Sequence, residues 1–357
     1  MSRLIILLPF ILLLISVINF SAIRKPQLIS SITERVSVLV PLRNEAENIA
    51  ELIESLSAQL GVDNVEFILL DDNSEDATFD LISTGITGRN NFRVIQGAPL
   101  LPGWIGKTWA LQQLLEASSG EIIVTLDADV RISPEAINKA ITLMKSASLD
   151  FISPYPKQIA ITFGERLIQP LLQWSWMSTL LLPIAERATF SSMAVANGQF
   201  FLVQRAALIR AEGYEAVKAA VLDDVFLARA LIRTGAHGVV VSGAEIAQCR
   251  MYSSWSEIES GYGKSLRYAF GSTIGSFFAI LLIFLTGIAP IVVALTGSML
   301  GWIAFVIVAS TRALSAVRAR TNIIDSLLHP ISSALLIYLI FYSYLKRGDI
   351  KWKGRTL

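Results

Sequence analysis

Two aspartates separated by one residue, Asp127 and Asp129, have the types and spacing that could hold a metal ion. They follow the apolar run Ile122–Leu126, and a bend after that run would turn both carboxylates toward one ligand. Carboxylate oxygens suit a hard divalent ion, Mg²⁺ or Mn²⁺, which also takes phosphate oxygens. Two other apolar runs also end in acidic text, "PLRNEAENI" and "DDNSEDAT". We therefore predict a divalent-metal site where these runs end.

A second acidic pair, Asp223 and Asp224, opens a helix-period segment in "LDDVFLARAL". Helix N-capping and the positive end of the helix dipole explain one aspartate at such a position. A second aspartate held near a substrate could act as a general base, because an ordinary aspartate, with a pKa of about 4, is deprotonated at pH 7. Both interpretations stay open at this point.

Lys107 stands in "GWIGKTWAL", which ends like a phosphate-binding P-loop. A P-loop also needs a glycine five positions before Gly106, where this chain has Leu101. Pro102 removes one of the backbone N–H groups that such a loop uses. Lys107 is therefore either a solvated lysine at a helix start or a cation that meets a phosphate without a P-loop.

The region between Arg24 and Arg267 alternates between strand-like and helix-like patterns. Apolar runs of strand length lie at Val36–Val40, Val65–Leu70, Phe92–Ile95 and Ile122–Leu126. Helix-period segments lie at Glu45–Leu60, Asp76–Thr84, Lys107–Ala117 and Pro134–Ser146. This alternation predicts an α/β fold, with a mostly parallel, Rossmann-like sheet covered by helices on both faces. In such sheets ligands bind at the carboxyl ends of the strands, where the acidic residues lie.

The composition indicates a membrane protein, since 53% of the residues are hydrophobic and only 17% are charged. Three stretches are long enough to cross a bilayer and carry no charge apart from His329: Leu4–Ile23, Tyr268–Thr311 and Ser326–Leu345. The net charge of +1 gives no indication of a nucleic-acid partner. A single cysteine, Cys249, excludes an intramolecular disulfide and a cysteine-based metal cluster.

The charges around the apolar stretches predict how the chain is organised. The predicted units are an uncleaved anchor helix over 1–24, preferred to a cleaved signal peptide, a soluble domain over 25–268, two or three transmembrane helices within 269–346 and a basic tail over 347–357. Arg24, Lys25 and Arg35 follow the anchor and Arg3 alone precedes it. The positive-inside rule then predicts a multi-pass protein of the cell (inner or plasma) membrane, with the domain in the cytoplasm.

The basic residues of the C-terminal part pose a topology problem. Arg312, Arg318 and Arg320 form one cluster, the tail from Lys346 onward forms another, and one apolar segment separates them. If that segment crosses the bilayer, the two clusters cannot both be cytoplasmic. Either the segment Gly301–Ala309 is re-entrant or interfacial, or one cluster breaks the rule.

An apolar, tryptophan-rich stretch, 163–185, interrupts the soluble domain. Trp174 and Trp176 are residues of the kind found at headgroup depth. We predict interfacial helices, interrupted at Pro170, that hold the site against the bilayer. A true span is the alternative, which Gln169 and Gln173 disfavour.

Eight runs, in this order, resemble the family 2 glycosyltransferases of the GT-A fold, and specifically a membrane-bound bacterial subgroup associated with carotenoid and hopanoid glycosylation. The runs are "VLVPLRNEAENI", "LLDDNSEDAT", "LPGWIGKTWAL", "LDADV", "NGQFFLVQR", "LDDVFLARAL", "CRMYSSWSEIESGYGKSL" and "WKGR". The resemblance implies a GT-A domain that uses a nucleotide-sugar donor and a divalent metal.

The resemblance also implies site residues. The residues implied to bind the donor are Arg43, Asn44, Glu45, Asp72, Lys107 and Asp127. Asp127 and Asp129 would hold the metal on the donor diphosphate, and Asp224 would be the catalytic base. Asp223 stands where many members have Glu, and "QCRMY" at Gln248–Tyr252 does not fit the Gln-x-x-Arg-Trp of processive synthases and ceramide glucosyltransferases. That departure disfavours a polymer-extruding synthase and leaves an acceptor-side role open for Asp223, Gln199, Arg250 and Tyr252.

The predicted function is that of a membrane-bound inverting glycosyltransferase. It would move a sugar from a nucleotide sugar to a hydroxyl of a lipid acceptor, such as a carotenoid or hopanoid, at the bilayer surface. A polyprenyl-phosphate sugar transferase, whose acceptor phosphate needs no base, is the alternative among enzymes. A non-catalytic lipid-sugar carrier or scaffold is the alternative of a different class.

Overall fold

The computed structural model describes residues 4–346, 351–352 and 355–356, and its strands follow the apolar runs of the sequence. The strands are β1 (Val36–Leu42), β2 (Val65–Asp71), β3 (Phe92–Gln96), β4 (Ile122–Leu126), β5 (Val130–Ile132), β6 (Phe151–Tyr155), β7 (Lys157–Gln158), β8 (Phe200–Gln204), β9 (Gly238–Ser242), β10 (Ala247–Cys249), β11 (Lys351–Trp352) and β12 (Arg355–Thr356). The predicted basic tail, 347–357, lies outside the described residues except for the short pair β11–β12.

Seven of these strands form one mixed sheet in the order β3-β2-β1-β4-β8-β6-β9. All neighbours are parallel except at β8, which runs antiparallel to both β4 and β6. In the β1–β2 register Leu42 lies opposite Asp71, so both strands end at the same edge of the sheet. The predicted mostly parallel α/β fold is confirmed, and the acidic loops emerge together at its carboxyl edge.

The α-helices among the described residues lie between the strands of the domain and in the apolar segments. They are α1 (Leu4–Ala22), α2 (Ile49–Ser57), α3 (Thr78–Gly85), α4 (Gly106–Ala117), α5 (Ala136–Ser146), α6 (Phe163–Thr179), α7 (Leu182–Ala185), α8 (Arg205–Arg210), α9 (Asp223–Arg233), α10 (Trp255–Ala269), α11 (Thr273–Ile283), α12 (Ala289–Leu295), α13 (Met299–Ala319) and α14 (His329–Leu345). A π-helical turn, Phe284–Ile288, joins α11 to α12, and a 3-10 helix, Ile323–Leu328, precedes α14.

Each face of the sheet has its own apolar core because successive strand residues point to opposite sides. Val38 and Val40 pack in one core with residues of α2 and α5. Leu39 and Ile68 pack in the other with residues of α4 and α9. Each fully buried side chain of this size stabilises the fold by about 1.5–3 kcal/mol. The two cores hold the strand ends that carry the acidic residues.

A second, three-stranded sheet supports the loop after β4. β10 pairs antiparallel with β5 and parallel with β7. Cys249 in β10 therefore lies opposite Val130 and Gln158. This small sheet brings chain segments more than 100 residues apart to the back of Asp129.

Four helical segments are long and apolar enough to cross a membrane: Ile5–Ala22, Thr273–Leu295, Met299–Ala319 and Ile323–Leu345. α13 is one continuous helix through Gly301–Ala309, so the re-entrant turn that was one expectation for that segment is not found. α6 is not among the four. It instead packs beside α1, α13 and α14.

The structure corrects the prediction for 163–185 in two respects. α6 begins at a capping box formed by Thr162 and Glu165 and continues through Pro170 without interruption, and the chain breaks at Leu180 instead. The rings of Trp174 and Trp176 are buried in the protein rather than exposed. Trp174 Nε1 donates to Thr311 Oγ1 at 2.7 Å, a contact that anchors α6 to α13.

Candidate active site

The loops that follow β1 and β2 interlock at the carboxyl edge of the sheet. Asn44 and Asn73 both adopt a left-handed backbone conformation with φ near +52°, which asparagine tolerates better than most residues. The N–H of Asn44 donates to Ser74 Oγ at 2.9 Å, and Asn44 Oδ1 accepts from the N–H of Glu75 at 2.8 Å. These reciprocal bonds fix the two loops as one unit.

The Arg43 side chain also joins these two loops. Its Nη1 donates to the carbonyls of Asp72 at 2.7 Å and Asn73 at 2.6 Å, and its Nη2 lies 3.1 Å from Glu75 Oε1. Only 5% of the Arg43 side chain is exposed. Asp72 is fully buried at the end of β2. Both side chains are therefore buried in the protein and do not face an open cleft.

Lys107, at the start of α4, is enclosed by acidic side chains. Its Nζ lies 2.8 Å from Asp127 Oδ1 and 3.8 Å from Asp223 Oδ2, and about one-fifth of its side chain is exposed (21%). Burial alone would lower the pKa of Lys107, but the charges of Asp127 and Asp223 raise it above its ordinary value. Lys107 is therefore a charged ammonium group in contact with carboxylates, and the interpretation as a solvated lysine does not fit.

Asp224 is held at the start of α9 by two backbone groups. Its Oδ2 accepts from the N–H of Gly198 at 2.8 Å and its Oδ1 from the N–H of Val225 at 2.8 Å. Burial, followed by the charge of Asp223, raises the pKa of Asp224 to about 6, and Lys107 opposes that rise. Leu222 occupies the N-cap position of α9 and no side chain caps the helix, so neither aspartate is the N-cap residue. A carboxylate with a pKa close to neutrality is suited to accept a proton.

Gly198 stands where there is little room for a side chain. A Cβ at this position would lie 3.3 Å from Asp224 Cβ and 3.4 Å from Lys107 Nζ. A larger residue would fit only if Asp224 moved by a few tenths of an ångström. Glycine lets the backbone approach Asp224 closely enough to donate.

Asp129 is held by a buried thiol. A side-chain hydrogen bond joins it to Cys249, which accepts a second one from Gln199 Nε2 at 3.0 Å. Burial, then the charges of Asp127 and Glu45, raise the pKa of Asp129 to about 6, and the thiol opposes that rise. The negative charges of Asp127, Asp129 and Glu45 therefore act on one another at the end of β4 and in the loop after β1.

One pocket joins four of the predicted residues. Lys107, Asp127, Asp223 and Asp224 line it together with Gly198. Tyr214 lies on its wall and is itself fully buried. The structure brings these groups together from α4, the end of β4 and α9. The other predicted donor and metal residues do not line this pocket: Arg43, Asn44, Glu45, Asp72 and Asp129.

Three residues predicted on the acceptor side face other partners. Gln199 is 4% exposed and accepts at Oε1 from Gln158 Nε2 at 2.8 Å. Arg250 lies 3.2 Å from the buried carboxylate of Glu165, and the ring of Tyr252 lies 5.8 Å from that of Tyr262. These contacts join the three side chains to other parts of the protein, and their acceptor-side role stays a prediction.

Sequence reasoning missed the part that Cys249 plays. The sequence indicated only that a single cysteine forms neither a disulfide nor a cysteine-based cluster, whereas the buried Cys249, 1% exposed, connects Gln199 to Asp129. Its 120-residue distance from Asp129 along the chain left no local signal. Only the pairing of β10 with β5 brings the two together.

The residues present fit a divalent ion in part. Asp127 and Asp129 are hard oxygen ligands, and their like charges, which raise the pKa of Asp129, would be offset by a cation between them. Among residues 4–346, no group of three His, Cys, Asp or Glu side chains has the geometry to hold a metal. A metal here would need further oxygens from a diphosphate or from water.

Comparison with known proteins places the chain among sugar-transferring enzymes. Residues 37–210 match the family described as Glycosyl transferase family 2. The chain is 23% identical over 272 residues to a 4,4'-diaponeurosporenoate glycosyltransferase of Staphylococcus haemolyticus, covering 71% of this chain and 67% of that protein. It is 31% identical over 114 residues to a dolichol-phosphate mannosyltransferase of Pyrococcus furiosus, of whose length it covers only 31%.

The fold also resembles that of a solved enzyme. A mannosyltransferase of Pyrobaculum calidifontis in complex with GDP-Man and Mn²⁺ superposes with a TM-score of 0.53 over 94% of this chain and 98% of that chain. The two sequences are 16% identical, so the likeness concerns the fold alone. With its mixed sheet and its acidic carboxyl edge, the part of the chain over residues 37–210 belongs to the family 2 glycosyltransferases.

Proposed function

We propose that this glycosyltransferase is a membrane-bound, inverting enzyme that moves a sugar from a nucleotide sugar to a hydroxyl of a lipid acceptor. The observation that carries the proposal is the shared pocket of Lys107, Asp127 and Asp224 at the carboxyl edge of the sheet. One cation and two carboxylates there come from three different elements. A relic domain without activity has no need to keep such groups together, which disfavours the carrier or scaffold alternative.

The donor diphosphate would lie between Lys107 and the pair Asp127 and Asp129. Lys107 carries a positive charge at the N-terminus of α4, where backbone N–H groups also favour an anion. Asp127 and Asp129 would hold Mg²⁺ or Mn²⁺, which when bound neutralises the charge that develops on a leaving diphosphate. Lys107 would then exchange its contact with Asp127 for one with a phosphate oxygen.

Asp224 is the proposed base. Its carboxylate accepts two backbone hydrogen bonds, which fix its orientation, and its raised pKa of about 6 leaves it deprotonated but basic at neutral pH. It would take the proton of the acceptor hydroxyl while that oxygen forms a bond to the anomeric carbon and the bond to the diphosphate breaks. A single displacement of this kind inverts the anomeric configuration.

The lipid acceptor is inferred from the membrane helices and from the relatives. α6 packs beside α1, a candidate span, and Asn19 of α1 donates to Met177 O in the last turn of α6 at 2.8 Å and accepts from Leu182 N of α7 at 3.0 Å. These contacts connect the chain of the catalytic domain to the apolar helices. A carotenoid, hopanoid or similar acceptor agrees with the Staphylococcus relative, and a cytoplasmic domain agrees with the charges that flank α1.

A polyprenyl-phosphate acceptor is the second candidate, favoured by the similarity to the dolichol-phosphate enzyme. A phosphate or carboxylate acceptor is already deprotonated at pH 7 and needs no base. Replacing Asp224 by Asn separates the two. A hydroxyl acceptor predicts a rate loss on the order of 10²-fold or more, whereas an anionic acceptor predicts a far smaller loss.

The direct test offers the purified full-length protein a set of nucleotide sugars and a membrane lipid extract, with Mn²⁺ present, and follows the lipids by mass spectrometry. The proposal expects a lipid whose mass rises by one sugar, with nucleoside diphosphate released in equal amount. Transfer to water only, or transfer that persists unchanged in a variant lacking Asp127 and Asp129, would contradict it.

A further inference from the structure

Two of the candidate spans form a helical hairpin. Thr273–Leu295 and Met299–Ala319 are joined by the turn at 296–298, and Gly301 packs directly on the backbone of Ala294. A hairpin that enters and leaves a bilayer has its two outer ends on the same side. Thr273 and Ala319 therefore lie at one membrane face.

That face is the one that carries the catalytic domain. Arg320, immediately after α13, places its Nη2 2.9 Å from Oε1 of Glu245 in the catalytic domain. α10 leads from β10 of the domain into α11 and is not among the candidate spans. α10 exposes Glu257, so a position across the bilayer is excluded for it.

The end of α14 lies at the same face. Tyr338 Oη donates to Glu259 of α10 at 2.7 Å, and Ser343 Oγ accepts from the N–H of Arg267 at 3.0 Å. The hydroxyl of Tyr344 lies 2.8 Å from that of Ser276, one turn into α11. A segment that crossed the bilayer would end beside the turn at 296–298, at the other end of the hairpin.

The start of α14 lies deep in the bundle. The His329 ring packs 4.8 Å from that of Trp174, and Gly287 packs against Ser333 and His329. Gly287 follows Thr273 by 14 residues, which at 1.5 Å per residue is a depth of about 21 Å. Between Arg320 at the membrane face and His329, three linking residues and the 3-10 helix span about 22 Å. The 17 residues of α14 span about 25 Å between His329 and the membrane face at Leu345.

We propose that Ile323–Leu345 does not cross the membrane but is re-entrant: it enters from the catalytic face as a 3-10 helix, turns at His329 and returns to the same face as α14. The chain then crosses the bilayer three times. The cluster at Arg318 and Arg320 and the end of α14 at Lys346 then lie at one leaflet. This removes the conflict that the positive-inside rule raised for a crossing segment.

The polar groups at the turning point agree with this path. Non-helical backbone at membrane depth is tolerated only where protein surrounds it. Arg312, Asp325 and His329 are each at most 5% exposed and lie around the turn. Asp325 Oδ2 accepts from Arg166 Nε of α6 at 3.0 Å, so the entering segment is tied to the domain's own helix. A simple apolar span would need none of these groups.

Cysteine labelling tests the path on the full-length protein. In a Cys249→Ser background, single cysteines are introduced by Lys346→Cys, by Asn90→Cys on the exposed surface of the domain and by Thr296→Cys in the hairpin turn. Intact cells and inverted membrane vesicles are treated with a membrane-impermeant maleimide. The proposal expects Lys346→Cys to label in the same preparation as Asn90→Cys, and Thr296→Cys in the other.

Labelling of Lys346→Cys together with Thr296→Cys would overturn the proposal. A second measurement serves if the Cys249→Ser background does not fold: protease protection of an epitope tag added after Leu357 of the otherwise native chain. Digestion of the tag from the side that exposes the catalytic domain supports the proposal, and protection on that side contradicts it. Neither readout depends on activity, so the result is independent of the proposed function.

Discussion

Lys107 Nζ and Asp127 Oδ1 lie 2.8 Å apart, at the point where the helix start of α4 meets the end of β4. This ion pair places a positive charge among carboxylates. The negative charges of Asp223 and Asp224 also raise the pKa of Lys107. In the absence of a donor, the ammonium offsets the repulsion among these carboxylates. The same ammonium is the cation best placed to meet a diphosphate.

The first prediction concerns this lysine. Lys107→Met should weaken binding of GDP or UDP by about 10- to 100-fold, because a charge-assisted contact contributes about 1.5–3 kcal/mol. Lys107→Arg keeps the charge and should retain most of the affinity. Isothermal titration with each nucleotide measures the effect. Equal affinity in Lys107→Met and the native protein would remove Lys107 from the donor site.

The second prediction concerns pH. With the pKa of Asp224 at about 6, the base is protonated as the pH falls through 6, so kcat/KM should drop tenfold per pH unit below that value. The ionised form predominates above pH 7, where activity should level off. Initial rates between pH 4.5 and 8 measure the profile. A flat profile across pH 6 with a hydroxyl acceptor would argue against Asp224 as the base.

The third prediction concerns the thiol behind the metal site. Cys249→Ala removes the group that joins Gln199 to Asp129 and should weaken Mn²⁺ binding by about 10-fold, the scale seen when a partner of a metal ligand is lost. Cys249→Ser keeps a donor and an acceptor and should stay close to the native affinity. Electron paramagnetic resonance of free Mn²⁺ gives the constants. Equal losses in both variants would indicate a packing effect instead.

The fourth prediction concerns the joint between α1 and the chain after α6. Asn19 and Ser16 are both buried on α1, but Asn19 bonds to Met177 and Leu182 while Ser16 Oγ has no hydrogen-bond partner among the residues that the structure describes. Asn19→Ala should lower the free energy of unfolding by about 2 kcal/mol or more, since buried backbone groups lose their partners. Ser16→Ala should be neutral or stabilising. Thermal unfolding in detergent compares them, and equal shifts would contradict the assignment.

Much of the sheet could be predicted because its strands are buried on both faces and are therefore continuous apolar runs. The order of β8 between β4 and β6 could not, since antiparallel insertion leaves no local pattern in "FFLVQ". Pro170 was expected to break a helix, but contacts of α6 with α1, α10, α13 and α14 hold it together. Propensity is a weak prior against such tertiary packing.

The residues of the candidate site could also be predicted only in part from the sequence. The acidic strand ends of Asp127 and Asp129 are visible in the sequence because each follows an apolar run. The partners of Gln199 and Arg250 are not visible in the sequence. Cys249 and Glu165 are distant from them along the chain, and they come into contact only through strand pairing and the capping of α6. The acceptor-side role of these two residues stays a prediction, and the structure adds the contacts that fix their side chains.

The most direct test of the account is whether Mn²⁺ and a nucleoside diphosphate bind together through Asp129. Affinity for GDP and for UDP is measured with and without Mn²⁺ in the native protein, in Asp129→Asn and in the control Asp63→Asn, which changes an exposed carboxylate. The account predicts that Mn²⁺ raises affinity for at least one nucleotide by about tenfold or more in the native protein and the control, and that Asp129→Asn abolishes this gain. A Mn²⁺-dependent gain that survives unchanged in Asp129→Asn would contradict it.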